Sequence, residues 1–289
     1  MTDNYLLDKA RIRSSFERAA HSYDAAAILQ HEVRMRMMAR LDYIKAAPVD
    51  ILDAGAGTGH ATRALAARYP GSRVVALDLA MAMLQRTRAR APWWRQLLRR
   101  PQAAVCGDIE RLPLATASMD MIWSSLALQW CNDLDAAFSG AARVLRSDGL
   151  FMFSTFGPDT LKELRVATAT DPDHVHVSRF IDMHDIGDAL VRNGFTAPVL
   201  DVELFVMTYD DVRGVMRDLK DIGAHNAAHG RQRGLGGKGF LQGLTERYER
   251  FRDQGKLPAT FEVVYGHAWK LQAATLPEGL SPIKIHRRA

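Results

Sequence analysis

Residues 49–59 read VDILDAGAGTG, and few folds accommodate such a stretch. Val49, Ile51 and Leu52 form a short apolar run of the kind that makes a buried strand. The run ends at Asp53 and enters a turn with glycines at positions 55, 57 and 59, and an amphipathic segment, HATRALAARY, starts at His60. Glycine tolerates positive φ and lets a ligand approach the backbone closely. Amides at the start of the following helix can face that ligand. Strand, glycine turn and helix predict a nucleotide-type cradle at the carboxyl edge of a parallel sheet. A tight turn whose glycines serve packing alone has the same local sequence.

The spacing is GxGxG rather than GxGxxG, since Ala61 and Thr62 follow Gly59; this argues against a dinucleotide. Two more acids end predicted strands. Asp78 follows RVVAL (73–77), and a carboxylate there suits a ribose diol because it accepts both hydroxyl hydrogens. As a bland alternative, Asp78 caps the helix LAMAMLQRTRAR. Asp108 follows the strand 103–106, where its carboxylate can take an adenine amino group while Ile109 covers a ring face. A fourth strand, 119–124, leads into SLALQW. In a doubly wound sheet that loop faces the reactive end of the ligand, so Gln129 and Trp130 become near-substrate candidates; a packed core ring is the alternative for Trp130.

Upstream, residues 8–23 read as a polar, partly helical arm. Residues 26–45 form a helix with Leu29, Val33, Met37, Leu41 and Ile44 on one stripe. Residues 91–102 are an Arg- and Trp-rich connector. Past the fifth strand, GLFMFSTF, helices are expected at 158–169, 182–193, from 210 to about 223, and over LQGLTERYERFRDQ, with strands at 199–209 and 259–269. Residues 224–239 are glycine-rich and basic, and the tail 276–289 is basic and loosely structured.

Composition excludes several classes. No apolar run approaches the ~20 residues of a membrane span. The first residues, MTDNYLLDKARIRSSF, lack the apolar centre of a signal peptide. Cys106 and Cys131 are the two cysteines, so no disulfide framework is implied and a cytoplasmic setting is expected. The net charge of +5 allows an acidic partner but is small for nucleic-acid binding. His174, His176 and His184 lack an acid or Cys set at ligand spacing, so no metal is expected.

The motifs DAGAGTG, ALDLA, GDIERLPLATASMDMIWSSLALQW and RVLRSDGLFMFSTFGPDTLKELR resemble those of class I S-adenosylmethionine (SAM) methyltransferases. More specifically, LALQWCNDL, FSTFGPDTLKELR, SRFIDMHDIGDAL and MRDLKDIGAHNAAHGR resemble the malonyl-[acyl-carrier protein] O-methyltransferase family of biotin synthesis, to about Lys270. The resemblance implies an α/β fold: a doubly wound, mostly parallel seven-stranded Rossmann-like sheet with helical lid insertions. The expected organisation is an N-terminal arm at 1–48, a methyltransferase domain at 49–275 with insertions near 158–182 and 210–258, and the tail.

The implied activity is methylation of the free carboxylate of malonyl-acyl-carrier protein, or malonyl-CoA, to its methyl ester. SAM is the methyl donor and S-adenosylhomocysteine the product. Neither nucleic acid nor membrane is an expected partner. The expected cofactor set is Asp53, Gly55, Gly57, Gly59, Asp78, Leu79, Met83, Asp108, Ile109 and Ser125. A carboxylate with a pKa near ~4 is already ionised at neutral pH, so no general base is expected, only alignment and exclusion of water. It does need a cation, and Arg179 and Lys220 match the family pattern; Tyr23 could close over the methyl site. Arg213, Arg217 and Lys220 line one face of the helix after Asp210, suited to docking an acidic carrier. Other readings share the fold: a methyltransferase for another small acid, or a SAM-binding hydroxylase or assembly factor.

Overall fold

The computed structural model describes residues 4–91, 103–171, 174–224, 226–231 and 238–272. The connector Trp93 and Trp94, much of the glycine-rich basic stretch and the C-terminal tail lie outside the described residues.

The expected sheet is present. Its strands are β1 (Asp50–Ala54), β2 (Arg73–Asp78), β3 (Ala103–Cys106), β4 (Met119–Ser125), β5 (Leu145–Phe156), β6 (Phe195–Tyr209) and β7 (Leu257–Lys270). Their order is β3-β2-β1-β4-β5-β7-β6. The first five pair in parallel, and β7 runs antiparallel between β5 and β6. The order reverses between β1 and β4, which opens a crevice at their carboxyl ends.

Alternating side chains of the inner strands feed two cores, as a sheet covered on both faces requires. Ile51, Met121, Trp123 and Met152 enter one core, while Leu52, Ile122, Phe151 and Phe153 enter the other. Helix α1 (Lys9–Ala19), α2 (Tyr23–Ala26) and α3 (Ile28–Arg40) form the N-terminal arm. The predicted continuous helix 26–45 is broken at Ala27, whose φ −80° and ψ 47° are not helical. The arm does two jobs: the Val33 and Met37 side chains of α3 are fully buried on the sheet, while α1 and α2 cross the crevice. Each such apolar side chain contributes ~1.5–3 kcal/mol of burial.

The remaining α-helices among the described residues are α4 (His60–Arg68), α5 (Met81–Ala89), α6 (Leu134–Val144), α7 (Lys162–Thr168), α8 (Met183–Arg192), α9 (Val212–Asp221) and α10 (Lys238–Tyr248). Aspartates start several helices, α1 included: Asp8, Asp133, Asp182 and Asp211 each accept a backbone N–H of the first turn. Several boundaries differ from expectation: β5 starts at Leu145 rather than 149, the helix expected over 241–254 runs Lys238–Tyr248, and two further differences have a local cause. Helix α7 starts at Lys162 rather than 158, because Asp159 and Leu161 donate their N–H groups to Glu262 and Thr260 of β7 instead. Strand β6 starts at Phe195 and bulges between Thr196 and Val199, where Pro198 has no N–H for the ladder.

Candidate active site

The carboxyl ends of the inner strands and the arm enclose one main cavity of about 850 Å³ of empty space, its solvent mouth included. Gly55, Gly57 and Gly59 all have positive φ, so the turn after β1 requires them. Their surroundings differ. A Cβ on Gly55 would stand 2.3 Å from Ala127 Cβ, and one on Gly59 would stand 2.7 Å from Thr87 Cγ2. A Cβ on Gly57 would meet nothing within 4 Å. Gly55 and Gly57 line the cavity, with Gly57 open to it; Gly59 lies outside the lining and packs α4 against α5.

Asp78 is the keystone of this turn. One carboxylate oxygen accepts the Gly57 N–H at 2.8 Å and the other accepts the Ala80 N–H at 2.8 Å. Asp78 does not cap α5 (Met81–Ala89), whose N-cap is Ala80 without a side-chain bond and whose first amides go to Glu17; with about four acceptor sites, its carboxylate holds the turn and keeps capacity for a ligand. Burial raises its pKa to about 6 against the pull of those amides. Asp53 accepts the Thr62 hydroxyl at 2.5 Å and is raised to about 7, by burial first and then by Asp78. Leu79 and Met83 wall the cavity beside Asp78, and Asp108 and Ile109 line its far end. Asp108 accepts the Glu110 N–H at 3.1 Å and pairs with Lys9 at 3.1 Å.

A second compartment abuts the first and shares Tyr23, Gln30, Gly55, Gly57 and Ser125 with it. It contains Asp53 together with Arg34, so both charges stand in one partly desolvated space. The Gln30 side-chain oxygen is buried and has no hydrogen-bond partner among the described residues. Arg34 and Gln30, four apart on α3, escaped the sequence reading, because α3 carries arginines at 34, 36 and 40 and no spacing singles one out. Phe16 and Lys9 of α1 also escaped it. Phe16 meets Trp130 edge-on at 5.4 Å, and Lys9 ties the arm to Asp108 and Glu110. Glu17 accepts the N–H groups of Met81 and Ala82 at 2.7 and 2.9 Å, which ties the arm to the start of α5 as well.

Gln129, Trp130 and Tyr23 all line the main cavity. The Gln129 side chain is fixed by donating to the Leu126 carbonyl at 2.7 Å. Burial, then Asp78 and Asp24, push the Tyr23 hydroxyl well above the usual tyrosine range. Burial lifts the Cys131 thiol to about 12, so neither group supplies a base or nucleophile near neutral pH. The expected substrate cations are placed differently. Arg179 does not line the main cavity; it borders an adjoining pocket that shares Gln129, Cys131 and Phe156 with it. Lys220 is exposed on α9 and points away from the lining, which takes Ile222 and Ala224 from the same connection. The helical period explains this, since positions 220 and 222 lie on different sides of the chain as it leaves α9. Arg213 and Arg217 are exposed on that helix, and none of the three basic residues has an ion pair among the described residues. The described residues contain no group of three or more His, Cys, Asp or Glu that could hold a metal ion, and no helix long and apolar enough to cross a membrane.

The family described as "Methyltransferase domain" matches residues 52–153, from β1 to β5. Over the whole length, the chain is 65% identical to the malonyl-[acyl-carrier protein] O-methyltransferase of Methylovorus sp. (strain MP688), covering 99% of this chain and 98% of that one. It is 54% identical to the protein of the same name from Gallionella capsiferriformans (strain ES-2), covering 98% of each. Among solved structures it is similar to the YcgJ protein of Bacillus subtilis, with a TM-score of 0.59 at 16% identity over 84% of this chain and 100% of that one. It is also similar to phosphoethanolamine N-methyltransferase 2 of Haemonchus contortus, solved with phosphomonomethylethanolamine and S-adenosylhomocysteine. There the TM-score is 0.54 at 16% identity over 90% of this chain and 60% of that one. These structural likenesses bear on the fold alone.

Proposed function

The chain belongs to the malonyl-[acyl-carrier protein] O-methyltransferase family, and from that membership we propose that it methylates the free carboxylate of a malonyl group carried on acyl carrier protein. The observation that carries the reading is the two-compartment cavity, whose charges suit SAM. Asp78 keeps two acceptor sites for a ribose diol beside its amides. The compartment holding Asp53, Arg34 and the unpartnered Gln30 oxygen suits a zwitterionic amino-acid end. Asp108 and Ile109 offer an acceptor edge and an apolar cover for a purine.

SAM supplies a methyl group on a sulfonium, an activated donor that needs no metal or acid. The chain's own task is then alignment. Phe16, Trp130, Ile222 and Phe156 wall the acceptor side and keep water out. Gln129, locked by Leu126, presents its amide to an incoming carboxylate. That carboxylate arrives ionised, so Tyr23 and Cys131 remain protonated bystanders. Holding oxygen, carbon and sulfur in line is the dominant contribution open to such a site. We place the reaction in the cytoplasm, with the acidic carrier steered by the exposed basic face Arg213, Arg217 and Lys220.

Mass spectrometry of malonyl-carrier incubated with the protein and SAM tests this. A gain of one methylene unit, with S-adenosylhomocysteine released, is expected. An added oxygen atom, or an unchanged carrier with SAM bound, would make the chain a hydroxylase or a binding factor of the same fold.

A further inference from the structure

Beside the main cavity, the carboxyl edge of the sheet holds two more spaces in a row. The first lies beyond Gln129, Cys131 and Phe156 and is bounded on its far side by Arg179, Phe180 and Ile181. The second is an open groove that starts at those same three residues and runs past Ser178 and His176 toward Thr168. The three spaces abut through shared walls, so the row leads from the candidate methyl site to the protein surface.

The groove's floor has unused hydrogen-bonding capacity. Residues 176–181 adopt neither helix nor strand. Among the described residues, no backbone N–H from His176 to Ile181 donates a hydrogen bond and no carbonyl in that run accepts one. The run is nevertheless fixed at both ends. Val175 donates its N–H to Gly230 at 2.9 Å and accepts from the Asn226 side chain, and Asp182 caps α8. In between, Phe180 packs edge-on against Phe156 at 5.7 Å. An anchored strip of backbone amides without protein partners is paired by water or by a ligand. Arg179 is exposed and has no ion pair or hydrogen bond among the described residues. The neighbouring Arg165 is spent on the Pro158 and Thr160 carbonyls, at 2.7 and 3.0 Å.

A fitting occupant is a linear chain with amides along its middle, an anion at its outer end and a reactive group at its inner end. We propose that the row threads the phosphopantetheine arm of the acyl carrier, with the arm's amides in the first space against backbone 179–181 and its phosphate at Arg179, where that space opens into the groove. This rests on the malonyl-carrier reading above. It assigns Arg179 to the arm rather than to the malonyl carboxylate, in accord with its place outside the main cavity.

Two measurements test the path. In the first, malonyl-carrier and a malonyl N-acetylcysteamine thioester, which lacks the phosphate and the outer amide, are compared as substrates. Ser178→Trp, which fills the groove, and Arg179→Ala, which alters only an exposed side chain, should each lower the carrier-to-short ratio of kcat/KM about tenfold or more. A ratio unchanged in both variants overturns the path. In the second, binding of holo-carrier and of apo-carrier, which lacks the arm, is measured by calorimetry without any methyl transfer. Holo-carrier should bind more tightly, and Ser178→Trp should erase the difference. Equal binding of the two carriers to the wild type overturns the path whatever the enzyme catalyses. Arm-dependent binding without methyl transfer upholds it and sinks the methylation reading.

Discussion

Replacing Asp78 by Asn removes a charge and an acceptor oxygen at the end of β2 while keeping the side chain's shape. In the folded protein each carboxylate oxygen already accepts one backbone N–H, from Gly57 and from Ala80, at 2.8 Å. Two acceptor sites remain for the ribose diol. Asn has a single carbonyl oxygen, and its NH2 group meets one of the two amides donor against donor. At least one charge-assisted bond to the ligand is lost. Such bonds are worth ~1.5–3 kcal/mol, so SAM affinity should fall roughly tenfold to a hundredfold. Stability moves little, because two effects oppose each other. Burial raises the Asp78 pKa to about 6. Its folded value therefore exceeds its unfolded one, and keeping it charged near pH 8 costs the ligand-free fold on the order of 3 kcal/mol. Asn removes that cost and leaves one amide unsatisfied, a loss of ~1–3 kcal/mol. The melting temperature near neutral pH should therefore stay close to wild type, which separates a binding defect from unfolding. Calorimetric SAM titrations across about pH 5 to pH 8 extend the test. Wild-type affinity should weaken as protons take Asp78, and the variant, already neutral, should lose less over the same interval. A folded Asp78→Asn protein with wild-type affinity near neutral pH would falsify the ribose assignment.

Further outcomes follow from the same geometry. Asp53 is raised to about 7, so its contribution to stability is present below its unfolded pKa and is lost as pH rises through 7; the melting temperature of ligand-free Asp53→Asn should climb relative to wild type between about pH 5 and pH 8, and a constant difference by calorimetry would refute the raised value. Arg34→Met should weaken S-adenosylhomocysteine about tenfold and leave methylthioadenosine, which lacks the amino-acid end, unaffected; equal losses for both ligands would remove Arg34 from the second compartment. Reversing Arg213 and Arg217 to Glu should raise KM for malonyl-carrier and flatten its salt dependence, with less effect on a small malonyl thioester; equal effects on both substrates would reduce that face of α9 to a solvated surface.

Local sequence determined the cradle and the acids at the strand ends around it. An apolar run ending in an acid, three glycines that must take positive φ, and acids at two further strand ends are constraints on a few consecutive residues, and they appear in the chain as they appear in the fold. Apolar runs marked the strands one by one, and the resemblance implied their assembly into one seven-stranded sheet, which the structure contains. Other features depended on what residues far apart in the chain do to one another. Gly59 has the same turn conformation as its two neighbours, yet Thr87 of α5 makes its role packing rather than lining. Arg34 and Gln30 look like any polar pair on a helix surface until α3 lies over the end of β1 beside Asp53. Arg179 and Lys220 carry the charge a carboxylate substrate needs, and only the course of their segments sets one at the junction of two outer spaces and the other on the exposed side of α9. Spacing along a chain fixes which atoms are available within a turn or a strand, but the direction in which a side chain points across a cavity is set by packing between elements that are not neighbours in sequence.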